Sequence, residues 1–311
     1  MLDRPHAAQQ REARRRAAAA VRRKQVRRRR LVAVVVLAAL VVLVVILATS
    51  LGDGGEASHE AAQGSGGQTA GHRRAHESIS REDHAAVERV LAYTPAITKG
   101  GNRMKDMALT FDDGPGPDTP RIVAILRRYH APATFFVLGR SAMTRAWRMG
   151  LRAETGREFA IGDHTMTHPA LGSLGEAAQR REIAGQARLL HAMGKPRPIL
   201  FRPPFGSFDA TTLRLLRHER MLGVLWSADT KDFERPGRKQ IIYTAVSAAQ
   251  PGAIVLMHDG PSGRSETVAA LPRIIVRLRQ RHYKLVTVPQ MMRENPPPRG
   301  QPVPTSLSGA S

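Results

Sequence analysis

MALTFDDGPGPDTPRIVAILRRYHAPATFFVL, residues 107–138, carries the pattern that decides the fold. MALTF is an uncharged run of the right length for one buried strand. Asp-Gly-Pro turn chemistry follows it. Ile122, Ile125, Leu126 and Tyr129 then recur at i, i+3, i+4 and i+7, one face of a helix. ATFFVL is a second apolar run. Strand, helix and strand in that order predict a parallel pair joined by a crossover helix.

The theme repeats outward from this unit. FAIG (159–162), PILF (198–201), GVLWS (223–227), AIVLM (253–257) and KLVTV (284–288) read as further buried strands. Ile183, Ala187 and Leu190 give one intervening helical face, and Val268, Leu271, Ile275 and Leu278 another. Seven or so units predict an α/β fold, a closed or nearly closed (β/α) barrel. A doubly wound sheet is the alternative, since nothing local reports closure. The domain is expected over 86–293, and the Pro-, Gly- and Ser-rich residues 294–311 read as a disordered tail.

Ahead of the domain lies LVAVVVLAALVVLVVILATSL, residues 31–51, without a charge. As a helix it spans about 30 Å, the depth of a hydrocarbon core, and predicts a single transmembrane helix. Residues 1–30 hold twelve Arg or Lys against two acids, with Arg27–Arg30 at the membrane edge. Basic flanks stay cytoplasmic, so the N-terminus is expected inside and the domain outside the plasma membrane. A cleaved signal peptide is the rival reading. The apolar stretch exceeds the usual ~7–15 residues and lacks an A-x-A site, which favours an uncleaved signal anchor. Residues 52–85, rich in Gly, Ser, Ala, Gln and His, read as a flexible linker.

The net charge of +22 draws the chain to polyanions. An arginine-rich arm can serve nucleic acid. Its place against a membrane span assigns it instead to topology and anionic lipid, and no nucleic-acid partner is expected. The chain has no cysteine, which excludes disulfides, thiolate nucleophiles and thiolate metal sites.

In parallel barrels the reacting groups gather where the strands end. Here the strands are followed by Asp112-Asp113-Gly114-Pro115, Asp163-His164-Thr165-Met166-Thr167-His168, Arg202-Pro203-Pro204-Phe205-Gly206, Asp229-Thr230-Lys231-Asp232-Phe233 and His258-Asp259-Gly260. His164 and His168 stand four apart, but Gly162 and Pro169 flank them, so a loop is expected rather than a helix. With Asp113 they make a two-His, one-carboxylate set that leaves positions open on a divalent ion. Asp163 is an alternative ligand. Adjacent carboxylates at a buried strand end need a positive partner, which a metal and Arg202 would supply. Asp229 and Asp232 are both candidates to tune His258.

TFDDGP at 110–115, HTMTH at 164–168, RPPFG at 202–206, DTKDF at 229–233 and LMH at 256–258 resemble, in order, the five motifs of the polysaccharide deacetylase family, the NodB-homology domain of carbohydrate esterase family 4. The resemblance covers roughly 104–290 and implies a distorted (β/α) barrel. It makes Asp112 the catalytic base, Arg202 the arginine that holds it, and Asp113, His164 and His168 the metal ligands. The Phe205 amide becomes the oxyanion donor, His258 the catalytic histidine and Asp232 its tuning acid. Leu256, Phe233 and Trp226 would line the pocket for the acetyl group. The sequence departs from the family at Phe233, commonly Trp, at Phe205, more usually Tyr, and at Asp163, usually Asn. The implied cofactor is a divalent metal, zinc by expectation, with cobalt or another divalent ion as alternatives. The implied activity is N-deacetylation of amino sugars in a bacterial cell-wall polysaccharide. Peptidoglycan is preferred because of the membrane tether, and chitin-type oligosaccharides come second. O-deacetylation and a catalytically silent wall-binding role are the alternatives.

Overall fold

The computed structural model describes residues 81–144 and 158–302. Nine strands form one sheet: β1 Ala96–Ile97, β2 Asp106–Asp112, β3 Ala133–Val137, β4 Phe159–Asp163, β5 Leu200–Phe201, β6 Leu222–Val224, β7 Ala228–Asp229, β8 Ala253–His258 and β9 Lys284–Leu285. The strands pair in parallel in the order β1-β6-β5-β4-β3-β2-β8-β7. β9 adds to the first residues of β2, at Asp106 and Met107, below the point where β3 begins to pair at Thr110.

Every residue of β2 is buried, which explains why its sequence lacks alternation: both faces of a parallel sheet are covered. Period two still sorts its side chains. Met107, Leu109 and Phe111 join the core under the outer helices, while Ala108 packs inside the curl with Phe136, Leu222 and Ile254. Thr110 and Asp112 share the parity of Ala108, so this face of β2 turns to the interior of the curl. In the outer core Phe111 stacks on Phe135 at 5.2 Å and Phe159 meets Phe135 edge-on at 5.6 Å. A fully buried side chain of this size contributes about 1.5–3 kcal/mol.

The helices are α1 (81–91), α2 Thr119–Arg128, the one-turn α3 Gly139–Ala142, α4 Glu176–Ala192, α5 Ala210–His218, α6 Arg238–Ser247, α7 Ser265–Gln280 and α8 Val288–Glu294. α2 buries Ile122, Val123 and Leu126, α4 buries Ile183, Ala187 and Leu190, and α7 buries Val268, Leu271, Ile275 and Leu278. Ala86, Val87 and Val90 of α1 and Val288, Met291 and Met292 of α8 fill the curl from the end where the strands start.

Four expectations are corrected. The two end strands, β1 and β7, do not pair, so the sheet is a curled parallel half-barrel and the closed (β/α) barrel is not formed. Only Gly223 and Val224 of GVLWS lie in a strand, β6; Leu225, Trp226 and Ser227 form a connection before β7 begins at Ala228, and the Val224 and Leu225 carbonyls there accept from Arg202. KLVTV ends as a strand at Leu285, because Thr287 caps α8 by accepting from the Gln290 N–H at 3.2 Å. Chain order also runs past Glu294. Asn295 is fully buried and donates to the Gly101 carbonyl at 2.9 Å and to Asp106 Oδ1 at 2.7 Å. Composition reports apolar surface, and Asn295 is held by hydrogen bonds that composition does not register.

No helix among the described residues is long and apolar enough to cross a membrane. The expected anchor at 31–51, the basic tail before it and most of the linker lie outside the described residues, although α1 already begins inside the segment read as linker.

Asn295→Ala strips the buried Asp106 carboxylate of its amide donor. It is expected to cost about 2–3 kcal/mol in urea unfolding while leaving kcat unchanged, because the latch lies at the end of the sheet opposite the reactive rim.

Candidate active site

Asp113, His164 and His168 present ligand atoms that all lie within 4.8 Å of one another. Asp113 Oδ1 stands 3.2 Å from His168 Nε2 and 3.6 Å from His164 Nε2. That oxygen is buried without a hydrogen-bond partner, a costly state that a cation between the three side chains would relieve. The segment 164–170 is a loop, as expected. Asp113 (φ 70°), Thr165 (φ 69°), His168 (φ 68°) and Phe205 (φ 58°) all adopt the left-handed region, uncommon conformations that gather at functional sites.

The protonation of His164 follows from its partner. Nδ1 lies 2.7 Å from the Arg202 carbonyl, which can only accept, so Nδ1 carries the hydrogen and Nε2 keeps its lone pair for a metal. Burial depresses this imidazole to about 3 despite the Asp113 charge, so it is neutral at physiological pH. Burial also lowers His168. Neutral imidazole is the ligating form. Asp163, the alternative ligand, is held elsewhere: its Oδ1 accepts from the Thr165 N–H at 2.8 Å, and it stands outside the trio.

Arg202 has no solvent exposure, and Asp112 is 3% exposed. Arg202 Nη1 donates to Asp112 Oδ1 and to Thr110 Oγ1, each at 2.8 Å. Nε donates to the Val224 carbonyl at 2.9 Å and Nη2 to that of Leu225 at 3.1 Å. The guanidinium also lies 4.1 Å from the centre of the Phe136 ring. Burial raises the Asp112 carboxyl and the Arg202 charge opposes it, leaving the carboxyl above its ordinary value. Asp112 Oδ2 comes within 3.7 Å of His164 Nε2, which places this carboxylate beside the Asp113, His164 and His168 trio.

His258 has the opposite electrostatics. Its Nδ1 donates to Asp232 Oδ1 at 2.7 Å, while Asp232 Oδ2 accepts from the His258 N–H at 3.0 Å and from Thr267 Oγ1 at 2.6 Å. Burial would lower this imidazole, but the Asp232 hydrogen bond and charge outweigh it and raise the pKa. Of the two acids proposed to tune His258, Asp232 makes the bond. Asp229 Oδ1 instead accepts from the Lys231 N–H.

Two exposed rings flank these groups. Phe205 is 63% exposed and meets His168 edge-on at 4.5 Å, and Phe233 is 45% exposed and meets His258 at 5.3 Å. Leu256 is buried on β8 two residues before His258. Trp226 is half-buried, 5.7 Å from the Arg202 guanidinium.

Sequence reasoning missed three supporting groups. Thr110 sits inside the TFDDGP motif and could have been suspected from its parity with Asp112. Thr267 lies within α7, where no sequence signal distinguishes it. Asp259 is buried beside Gly114, where a Cβ would collide with its carboxylate, and it accepts from Thr119 Oγ1. Burial raises Asp259 to about 7. It lies next to His258 in sequence but under the Asp112–Gly116 turn in space.

The profile of the polysaccharide deacetylase family matches residues 99–221. A peptidoglycan-N-acetylglucosamine deacetylase of Bacillus cereus is 36% identical over 195 residues, 62% of this chain and 90% of that protein. The chain belongs to the polysaccharide deacetylase family. A chitooligosaccharide deacetylase of Sinorhizobium fredii is 33% identical over 213 residues, 64% of this chain and 98% of its own length. The crystal structure of a peptidoglycan N-acetylglucosamine deacetylase superposes with a TM-score of 0.61 at 29% identity, covering 66% of this chain and 95% of that one. The deacetylase domain is thus a hydrolase of metal-dependent type, with Asp113, His164 and His168 as the residues that fit a metal.

Asp113→Ala and His168→Ala should each weaken divalent-ion binding, measured by calorimetry on the folded protein. The loss should exceed the roughly 10–100-fold that follows removal of a group supporting a ligand.

Proposed function

We propose that this protein is a metal-dependent N-deacetylase of peptidoglycan N-acetylglucosamine, tethered to the outer face of a bacterial plasma membrane. The observation that carries the reading is the pairing of opposite proton-transfer groups about one ligand trio. Asp112 is a carboxylate held by a guanidinium, and His258 is an imidazole held by a carboxylate. Relatives named for peptidoglycan and chitooligosaccharide deacetylation support it.

Asp113, His164 and His168 would hold the ion. Two imidazoles and one carboxylate suit zinc, with cobalt a workable substitute. When bound, the ion supplies Lewis acidity toward the acetyl carbonyl and makes water a better nucleophile. The chain supplies the rest. Asp112, kept anionic and oriented by Arg202, accepts the proton of the attacking water. The Phe205 amide donates to the oxyanion as the carbonyl carbon becomes tetrahedral, a contribution of a few kcal/mol. Asp232 occupies Nδ1 of His258, so the proton delivered to the departing nitrogen is the one on Nε2. The C–N bond breaks, and acetate and a free amino sugar leave. Leu256, Phe233 and Trp226 would shape the space for the acetyl methyl.

Membrane tethering rests on the uncharged residues 31–51 and the arginines before them. A tether favours the polymer outside the membrane over soluble chitin-type oligosaccharides. The full-length chain is expected to resist alkaline extraction from membranes and to lose its domain to protease added to spheroplasts. Release by carbonate alone would exclude the anchor.

Acetate release from peptidoglycan should vanish with chelator, return with zinc or cobalt, and be abolished by Asp112→Asn. Cleavage of acetylated xylan instead would reassign the enzyme as an O-deacetylase. Because Asp232 raises the His258 pKa, the protonated imidazole persists above the ordinary value near ~6.5, and activity should fall as pH rises through the raised value. Asp232→Asn removes the stabilising charge. The alkaline limb of kcat/KM should move to lower pH, and kcat should fall by about 10²–10⁴.

A further inference from the structure

A cavity of about 600 Å³ lies at the end of the domain where the strands begin, between α1, the segment before β2 and the residues after α8. Its lining includes Arg89, Arg103, Arg293 and Arg299 together with Tyr93 and Pro296–Pro298, and no acid. Arg293 is neutralised by Asp83 and Glu294. Arg89, Arg103 and Arg299 are exposed and have no acidic partner among the described residues. The Arg299 guanidinium stands 5.2 Å from the centre of the Tyr93 ring. Burial pushes the Tyr93 phenol up, and Arg299 and Arg103 both oppose it, so their charges converge on one point of the trough. The walls are fixed: the Tyr93 hydroxyl donates to the Pro297 carbonyl at 2.7 Å, and Asn295 Oδ1 accepts from the Arg103 N–H at 3.2 Å.

We propose that this trough binds a phosphodiester-linked polymer, separately from the catalytic site. Guanidinium groups recognise phosphate oxygens through paired N–H donors, and several around one concavity favour consecutive phosphates over an isolated anion. A concave trough accepts a strand, whereas a flat layer of lipid headgroups is met by protruding side chains. Tyr93 and the proline wall offer apolar surface to the polyol between phosphates. The trough and the reactive rim lie at opposite ends of β2, which at seven residues and about 3.3 Å each puts them roughly 20 Å apart. The domain can therefore hold an anionic polymer while its rim works on another strand.

The test measures binding of fluorescent poly(glycerol phosphate) to the purified full-length chain in neutral detergent. Arg103→Gln/Arg299→Gln is compared with Arg273→Gln/Arg277→Gln, two exposed arginines of α7. The trough pair is expected to weaken binding roughly tenfold, the control pair by less than about twofold, and acetate release to stay unchanged in both. Equal losses in the two variants, or none in the trough variant, would overturn the proposal in favour of diffuse attraction by the basic chain. An equal loss toward polyglutamate would overturn phosphate recognition. A loss confined to phosphatidylglycerol vesicles would give the trough to lipid. Acetate release is read separately, so failure here leaves the deacetylase reading standing.

Discussion

A guanidinium and a carboxylate buried together impose the constraint on which the site depends. Arg202 and Asp112 face each other at 2.8 Å in the interior of the curl. Removing one partner of such a pair typically costs 3–5 kcal/mol, because the other charge is stranded. The arginine therefore recruits acceptors on every side: Thr110 on β2, the Val224 carbonyl at the end of β6 and the Leu225 carbonyl beyond it. Its backbone also joins the metal-ligand segment, since the Arg202 N–H donates to the Asp163 carbonyl and the Arg202 carbonyl accepts from His164. One side chain and its own peptide thus couple Asp112, the 163–168 segment and the sheet.

Two histidines of the same site are driven to opposite states by what their Nδ1 atoms meet. At His164 the partner is a carbonyl and burial dominates, so the ring is neutral. At His258 the partner is the Asp232 carboxylate, and the ring favours its proton. Identical residues are thus set to opposite protonation by environment alone, as the proposed division between ligand and acid requires. The left-handed conformations of Asp113, His168 and Phe205 add a cost of order 1–3 kcal/mol each, carried at the rim where chemistry needs those groups and offset by the packed sheet beneath.

The excess positive charge divides by place. Arg202 is consumed inside the site, while Arg89, Arg103 and Arg299 ring a trough at the far end with no acid in its lining. A net charge of +22 does not distinguish these uses. Their difference is one of burial and of distance to carboxylates.

The sequence by itself determined the strand–helix alternation, the set of residues offered at the strand ends and the loop character of 164–168, because hydrophobic period and turn chemistry are local properties. It also offered Asp113, His164 and His168 as a ligand set. Tertiary structure decided the rest. Whether the sheet closes depends on twist summed over many strands, and it stops as a half-barrel. The residue pattern alone left Asp229 and Asp232 both open beside His258, the family resemblance implied Asp232, and the turn after β7 brings Asp232 to the ring; Asp163 stands outside the trio, with its Oδ1 bonded to the Thr165 N–H. Thr267 reaches Asp232 from a helix 35 residues away in sequence, and Asn295 pins the start of β2 from 189 residues away. Such contacts leave no periodic trace in the chain, because hydrogen bonds between distant segments are made by single residues, whereas a buried face is made by many.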